Sequence, residues 1–278
     1  MAKKIRLIAR LDVKDEHLVK GIQYEGLRKL GAPHDFAVRY YEAGIDELLY
    51  LDTVASLYGR NNLSGILQHT SADVFIPVTA GGGVRSVQDV RALLRAGADK
   101  VAVNTAALKQ PALITAIAQA FGRQCMVLSV QAKRRPGGGW EAYFDNGREH
   151  SGRDAVAWAA EGAQRGAGEI LLTSVDAEGC RRGMDTELVA AVCAAVDVPV
   201  VAAGGLAGAE DAAGPQGRPG GFREARRQAD PGSAPGPGSP VPAGRRLHAA
   251  PAGPCRRQAG PQARWPCPAR RQQPLLDG

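Results

Sequence analysis

Short runs of apolar and β-branched residues alternate with segments of helical periodicity over the first 210 residues. This alternation is typical of βαβ units that build a parallel sheet. Apolar residues at helical spacing predict the connecting helices, among them helices over 86–94 and 154–164. The apolar runs predict seven strands, over residues 5–12, 47–52, 75–80, 100–104, 126–131, 169–174 and 198–203.

A weak internal repeat favours a closed barrel over an open sheet. Residues 43–52, 96–104 and 166–174 share one design, in which a glycine at a helix end leads into an apolar strand. We therefore predict an α/β fold, a (βα)8 TIM barrel over residues 1–211, which is an ordinary size for one barrel domain. Only strands 1 to 7 are recognisable, so the barrel is expected to be incomplete.

The composition of the chain changes after residue 211. Residues 212–278 hold 13 of the 18 prolines, no lysine, 11 arginines and 3 acidic residues, so their net charge is +8 against +7 for the whole chain. This Arg/Pro/Gly-rich segment has too little apolar surface to offset the entropy of ordering it, and we predict a disordered tail. One interpretation is a tail that binds nucleic acid. The other, which we favour, is a shifted reading frame in a G+C-rich gene.

Cysteine usage and the apolar runs indicate the compartment. The cysteines at positions 125, 180, 193, 255 and 267 form no CxxC pair, and no apolar run reaches the roughly 20 residues that a membrane span needs. The N-terminus lacks the apolar core of a signal peptide. We expect a cytoplasmic protein with no metal or cofactor, whose barrel binds neither membrane nor nucleic acid.

The ends of the predicted strands carry the candidate chemistry, because barrel active sites are built at the carboxyl ends of the strands. Asp12 ends the first strand and shares a face with Arg6, Ile8 and Arg10. If that face points inward, Asp12 lies at the barrel mouth as a general acid or base. The alternative, equally compatible with the spacing, is an aspartate that caps the next turn.

Two glycine loops follow predicted strands on opposite sides of the barrel. Bare backbone amides at a helix start bind anions. One such loop is usually a tight turn, but two loops at matching strand ends favour a long substrate with two phosphates. The residues of the two loops and of the strand end beside the first loop are Gly82, Gly83, Asn104, Thr105, Gly204 and Gly205.

Charged residues also stand at the amino-terminal ends of four predicted strands. They are Arg6, Glu47, Lys100 and Glu169. Parity places Lys100 on the face of Asn104 and Glu169 on the face of Thr173, so the four residues are expected to ring the bottom of the barrel. Such a ring is either a structural plug or a gated port. From the residues alone we favour the plug, since barrel interiors are normally packed.

Several motifs in the first 210 residues resemble the HisF cyclase subunit of imidazole glycerol phosphate synthase. They include Leu-Asp-Val-Lys-Asp (11–15), Val-Lys-Gly (19–21), Gly-Gly-Gly-Val (81–84), Gly-Ala-Asp-Lys-Val (97–101) and Gly-Ala-Gly-Glu-Ile-Leu-Leu-Thr-Ser-Val-Asp (166–176). The resemblance implies a barrel that takes ammonia from a HisH-like glutaminase partner docked at its bottom. With it the barrel splits a doubly phosphorylated ribulosyl aminoimidazole carboxamide into imidazole glycerol phosphate and aminoimidazole carboxamide ribotide.

The resemblance also implies roles for individual residues. Asp12 becomes a catalytic acid/base, and Asp99 lies at the docking face. The ring at the bottom becomes an ammonia gate, which reverses the plug interpretation. The residues that bind the substrate and its phosphates become Lys20, Gly82, Gly83, Asn104, Thr105, Thr173, Asp176, Gly204 and Gly205.

Three positions depart from the family pattern. Gln131 stands where the resemblance places a second catalytic aspartate, and an amide has no useful pKa for proton transfer. Arg10 faces the interior two positions below Asp12, where a cation favours the ionised carboxylate. Ala203 lacks a hydroxyl that the family often offers to the second phosphate. These changes and segment 55–63 resemble a HisF-like branch associated with surface-polysaccharide (lipopolysaccharide) synthesis.

Three hypotheses follow from the sequence. The first is a cyclase subunit of imidazole glycerol phosphate synthase. The second, favoured by Gln131 and segment 55–63, is a subunit that channels ammonia for amidation of a sugar nucleotide. The third, favoured by the tail, is an inactive truncated product.

Overall fold

A computed structural model describes residues 6–55 and 63–206, together with the backbone of residues 227–229. Its central sheet contains seven parallel strands: β1 (Leu7–Lys14), β4 (Glu47–Asp52), β5 (Val78–Gly81), β6 (Lys100–Val103), β7 (Met126–Arg134), β10 (Glu169–Ser174) and β11 (Val200–Ala203). Each strand pairs in parallel with the next one in this order. The prediction of seven strands in a TIM-type α/β barrel is confirmed.

Helices connect these strands. They are α1 (Pro33–Glu42), α2 (Leu63–Asp73), α3 (Val87–Arg95), α4 (Thr105–Lys109), α5 (Ala112–Phe121), α6 (Ala155–Arg165) and α7 (Thr186–Ala195). Two predicted helices begin one residue later than expected, because Ser86 and Asp154 are N-caps whose side chains accept hydrogen bonds from the first turn. Gly166 ends α6 with φ of 116°, a left-handed conformation that favours glycine.

Two antiparallel hairpins rise from the carboxyl ends of the strands. They are β2–β3 (His17–Ile22 and Glu25–Gly31) and β8–β9 (Trp140–Phe144 and Glu149–Asp154). The first continues β1 and the second continues β7, so both barrel strands run on past the predicted ends at residues 12 and 131. The sequence analysis missed both hairpins.

The sheet separates two apolar layers. In β1, Ala9, Leu11 and Val13 pack in the layer shared with the helices, while Ile8 belongs to the layer inside the barrel. This alternation confirms the predicted parity of β1. The inner layer contains seven buried residues from six strands, namely Ile8, Leu49, Ala102, Val127, Leu171, Val201 and Ala203.

A short strand, β12 (Arg227–Ala229), pairs in parallel with Leu7–Ala9 of β1. It lies on the edge opposite β4, which is where the eighth strand of a barrel belongs. No ladder joins β11 and β12 in the parts of the chain that the structure describes. At these three residues the structure differs from the expected disorder, because a parallel partner satisfies backbone groups on the edge of β1. The predicted domain boundary at 211, segment 56–62 and the rest of the tail lie outside the described residues.

Candidate active site

Asp12 lies on the inner face of β1 near the mouth of the barrel, and its side chain is buried. Arg10 Nε donates a hydrogen bond to Asp12 Oδ1 at 2.6 Å. Lys20 Nζ lies 3.7 Å from Asp12 Oδ2. These contacts fit the mouth position that parity predicted, and they place two cations beside the candidate acid/base.

A charged cluster is built around Asp12 from Arg10, Lys20 and Glu178. Lys20 Nζ lies 2.6 Å from Glu178 Oε1, and Arg10 Nη1 lies 3.6 Å from Glu178 Oε2. Arg10 Nη2 also donates a hydrogen bond to the hydroxyl of Tyr24 at 2.9 Å. Two cations thus face two carboxylates in a buried space, which offsets the cost of removing each charge from water.

The contacts within the cluster favour the charged forms of Arg10, Lys20 and Glu178. Burial opposes a charge on Arg10, but Asp12, Tyr24 and Glu178 outweigh it and raise the pKa of Arg10 well above its ordinary value. Burial likewise opposes charge on Lys20 and Glu178. The Glu178 carboxylate nevertheless raises the pKa of Lys20, and the two cations lower the pKa of Glu178. Arg10, Lys20 and Glu178 are therefore charged at neutral pH.

The first glycine loop opens into a cavity of about 280 Å³ at the barrel mouth. Gly82 and Gly83 line it with φ values of 102° and 69°, and Asn104 and Thr105 line the adjoining side. A side chain at position 82 would lie 2.3 Å from the carbonyl oxygen of Asp52, so only glycine fits there. The structure brings these four residues together at one cavity, and Arg85 and Lys109 add positive charge to it.

The second glycine loop lies in a smaller recess of about 20 Å³. Gly204 and Gly205 line it together with Lys20, Glu178 and Arg181. Lys20, which the resemblance places in a substrate-binding loop, therefore joins the charged cluster to this recess.

Thr173 and Asp176 occupy different surroundings. Thr173 is buried in β10, in register with Gln131 on one side and Ala203 on the other. Asp176 lies past the end of β10, where its Oδ2 accepts a hydrogen bond from the backbone N–H of Arg134 at 2.8 Å. Thr173 thus reaches the barrel interior, whereas Asp176 fastens a loop at the rim.

Gln131 lies in β7 at the wall of the first cavity and is buried. Its Oε1 accepts a hydrogen bond from the backbone N–H of Gly147 at 2.8 Å. Gly147 belongs to the turn between β8 and β9, where Asp145 and Asn146 also have positive φ values of 47° and 63°. Gln131 therefore fastens this turn over the cavity.

At the opposite end of the barrel, Lys100 joins two carboxylates in a polar ring. Lys100 Nζ lies 2.7 Å from Glu47 Oε1 and 2.8 Å from Glu169 Oε2. The Thr79 hydroxyl donates a hydrogen bond to Glu47 Oε1 at 2.9 Å. The positive charge of Arg6 favours the ionised form of Glu169. The structure thus brings the four predicted ring residues together and adds Thr79.

Two pKa values in the polar ring, those of Lys100 and Glu169, shift upward. Burial opposes charge on Lys100, but the carboxylates of Glu169 and Glu47 outweigh it and raise the pKa of Lys100. Burial also raises the pKa of Glu169, and the nearby cation Lys100 offsets this only in part. Removal of Lys100 would therefore leave two acidic groups in a poorly solvated space.

Asp99 lies on the surface beside this ring. Its Oδ2 accepts a hydrogen bond from the backbone N–H of Val78 at 2.8 Å. The aromatic ring of Phe75, on the same approach to β5, is 76% exposed. The amino-terminal face of the barrel thus presents an acid and an exposed aromatic group.

The chain that carries these residues matches a known protein family. The family described as "Histidine biosynthesis protein" matches residues 6–216. The chain belongs to this family.

Three relatives of this chain carry the name "Imidazole glycerol phosphate synthase subunit HisF". The Legionella pneumophila protein is 59% identical over 207 residues, which are 74% of this chain and 98% of that protein. The Myxococcus xanthus protein is 52% identical, with 73% of this chain and 80% of that protein covered. The Mycobacteroides abscessus protein is 51% identical, with 74% and 82% covered. The similarity confirms the resemblance seen in the sequence motifs.

Two site residues of this family member escaped the sequence analysis. Glu178 follows β10 in the segment Asp-Ala-Glu-Gly, where an acid four residues past a strand end is a weak signal. Tyr24 has φ of 64° in the turn of the first hairpin, and no apolar periodicity marks it. Both residues become site residues only because the hairpin folds back over the mouth.

Two further properties concern the described residues only. They contain no group of three or more His, Cys, Asp or Glu arranged to hold a metal ion. None of their helices is long and apolar enough to cross a membrane.

Proposed function

We propose that this chain is the cyclase subunit of imidazole glycerol phosphate synthase. It uses ammonia to convert the doubly phosphorylated ribulosyl substrate into imidazole glycerol phosphate and aminoimidazole carboxamide ribotide. The observation that carries the proposal is the placement of Asp12 and the polar ring at opposite ends of one barrel interior. The high identity to proteins named as HisF subunits supports the same reaction.

Ammonia enters through the polar ring in this proposal. A HisH-like glutaminase docks on the amino-terminal face, where Asp99 and Phe75 are exposed. Lys100 moves off one carboxylate to open the ring, and the inner apolar layer then conducts the uncharged molecule toward the mouth. The ring acts as the gate because Lys100 bridges both glutamates.

The mouth binds and transforms the substrate. One phosphate binds the backbone amides at Gly82 and Gly83, with Asn104 and Thr105 beside it, and the other binds at Gly204 and Gly205. Backbone amides of this kind bind phosphate well. Asp12 moves protons at the reacting centre between them, and Lys20 reaches from the hairpin to the second phosphate.

The barrel alone is the catalytic unit in this proposal. The family match ends at residue 216, and the Legionella relative is covered almost completely by the same part of the chain. We therefore place the domain boundary at residue 211, as the composition predicts, and assign the segment 212–278 no role in ammonia transfer or cyclisation.

A second candidate, ammonia delivery for amidation of a sugar nucleotide, is favoured by one observation. Gln131 is an amide at the position where the resemblance places a second proton-transfer group. The oxygen of this amide accepts a hydrogen bond from the backbone N–H of Gly147. In that case the gate and the glutaminase partner are retained while the ribulosyl substrate is not turned over.

One experiment separates the two candidates. The purified chain is given the ribulosyl substrate with ammonium chloride, and separately with glutamine and a HisH glutaminase, while product formation and glutamine hydrolysis are both measured. Formation of imidazole glycerol phosphate supports the cyclase proposal. Stimulated glutamine hydrolysis without any imidazole product supports the second candidate, and the absence of both contradicts each of them.

Changing Lys100 to methionine tests the gate. The variant keeps the length of the side chain but leaves Glu47 and Glu169 without their shared cation, so stability should fall by about 1–3 kcal/mol. We expect the ratio of glutamine-dependent to ammonium-dependent turnover to change, because only the first route passes the ring. Lys29→Met, on an exposed strand, is the matched control. A ratio equal to that of the control would contradict the gate.

A further inference from the structure

We infer that Tyr24 is a specificity-determining residue. It is the centre of a wall, formed by Gln131, Tyr24, Arg10 and Glu178, that separates the two phosphate sites. This wall must be displaced before a ligand can span them. This inference rests on the proposed function, since it concerns how a doubly phosphorylated ligand enters that site. The two glycine loops line separate cavities that share no residue. Between the cavities lie Gln131, Gly147, Tyr24, Arg10 and Glu178, each close to the next.

The wall begins at the first cavity. Gln131 lines this cavity and accepts a hydrogen bond from the backbone N–H of Gly147. A side chain placed on Gly147 would lie 3.5 Å from Cδ2 of Tyr24 and 2.9 Å from Cγ1 of Val175. The turn of the second hairpin therefore lies next to the tyrosine of the first hairpin.

The wall ends at the second cavity. The hydroxyl of Tyr24 accepts a hydrogen bond from Arg10 Nη2 at 2.9 Å, and the Arg10 guanidinium carbon lies 5.1 Å from the centre of the Tyr24 ring. Arg10 in turn faces Glu178, which lines the second cavity. Gln131, Tyr24, Arg10 and Glu178 are all buried, and among the described residues none that lines one of the two phosphate sites also lines the other.

Both hairpin turns are held down around this wall. The backbone N–H of Gln23 donates to the carbonyl of Glu178 at 2.8 Å, and Asn146 Nδ2 donates to the carbonyl of Thr53 at 2.9 Å. Arg148 Nε and Glu25 Oε1, 3.5 Å apart, join the two turns to each other. A ligand with one phosphate fits the first cavity while these contacts persist, whereas a ligand with two must lift the turns.

Association kinetics test the inference on the full chain without ammonia, so that no turnover occurs. The probe with one phosphate is sn-glycerol 3-phosphate, and the probe with two is the ribulosyl substrate. In the unmodified protein, the observed association rate should rise linearly with concentration for the first probe. It should reach a ceiling for the second, because opening of the wall becomes rate-limiting.

Changing Tyr24 to leucine removes both the ring and the hydrogen bond to Arg10, so the ceiling should rise more than about tenfold, the factor expected from loss of a hydrogen bond to a charged group alone. The rate for the one-phosphate probe should not change. Tyr41→Leu, on α1, is the matched control. Tyr24→Phe keeps the ring against Gly147 and removes only the bond to Arg10, so a smaller rise in the ceiling is expected even if the leucine variant folds poorly.

The outcomes of these measurements are distinct. A linear rate for the two-phosphate probe in the unmodified protein would overturn the wall but leave the proposed function intact, because that ligand still binds. A ceiling that Tyr24→Phe and Tyr24→Leu leave unchanged would also overturn the role of Tyr24. Failure of both probes to bind would overturn the proposed function and the wall together.

Discussion

Changing Asp12 to asparagine is expected to lower ammonium-dependent cyclisation by about 10²- to 10⁴-fold, the contribution typical of a general acid or base. Asparagine has nearly the same shape but cannot exchange a proton in the relevant pH range. It also removes the negative charge that Arg10 Nε contacts at 2.6 Å, so a buried cation loses part of its compensation. A lower melting temperature should accompany the loss of turnover.

Turnover of the Asp12→Asn variant is measured with saturating ammonium chloride, which bypasses the glutaminase and the polar ring. Asp35→Asn, at an exposed position of α1, is the matched control and should behave as the unmodified protein does. A variant that folds, binds the ribulosyl substrate and turns it over at the original rate would remove Asp12 from the catalytic step.

Changing Gln131 to aspartate is expected to raise ammonium-dependent cyclisation by about 10²-fold, because it supplies a second proton-transfer group at the wall of the first cavity. The expectation rests on the resemblance, which places a catalytic aspartate at this position. Gln131→Asn has the length of aspartate without its acidity and serves as the control. An equal gain in both variants would show that side-chain length, not proton transfer, limits the reaction.

Gln131→Glu separates the effect of the new carboxylate from the effect of losing the hydrogen bond that anchors the turn at Gly147. A glutamate reaches as far as the glutamine and can still accept the hydrogen bond from Gly147, whereas an aspartate is one methylene shorter. If the carboxylate is needed at the position of the shorter side chain, aspartate should outperform glutamate. Hydrogen exchange at the amide of Gly147 reports the anchoring directly and should be faster in the aspartate variant.

The strands and the polar ring were predictable from the sequence because both depend on a period of two. Lys100 stands two positions before Ala102, and Glu169 two positions before Leu171, so the residues of the inner apolar layer fix the side on which the charges lie. The starting Glu47 of β4 was also predicted at the right residue. Such local alternation survives without any knowledge of tertiary contacts.

The hairpins and the charged cluster were not predictable in the same way. The strand Glu25–Gly31 is mostly exposed and mixes apolar and charged residues without alternation, so no period marks it. Lys20 and Glu178 lie far apart in the chain and meet only after the first hairpin folds over the mouth. Arg10 was placed beside Asp12 from parity alone, but its contacts with Tyr24 and Glu178 depend on that folded hairpin.

Six apolar side chains of the inner layer, one from each of six strands, lie directly above the polar ring. They limit which molecules could pass through the barrel interior. A cation that entered this layer would leave its hydration shell and find no carboxylate to replace it, at a cost of several kcal/mol. An uncharged molecule of the same size meets no such barrier. If ammonia takes the proposed route, the barrel interior would therefore select by protonation state, and the proton that ammonium gives up would stay at the amino-terminal ends of the strands.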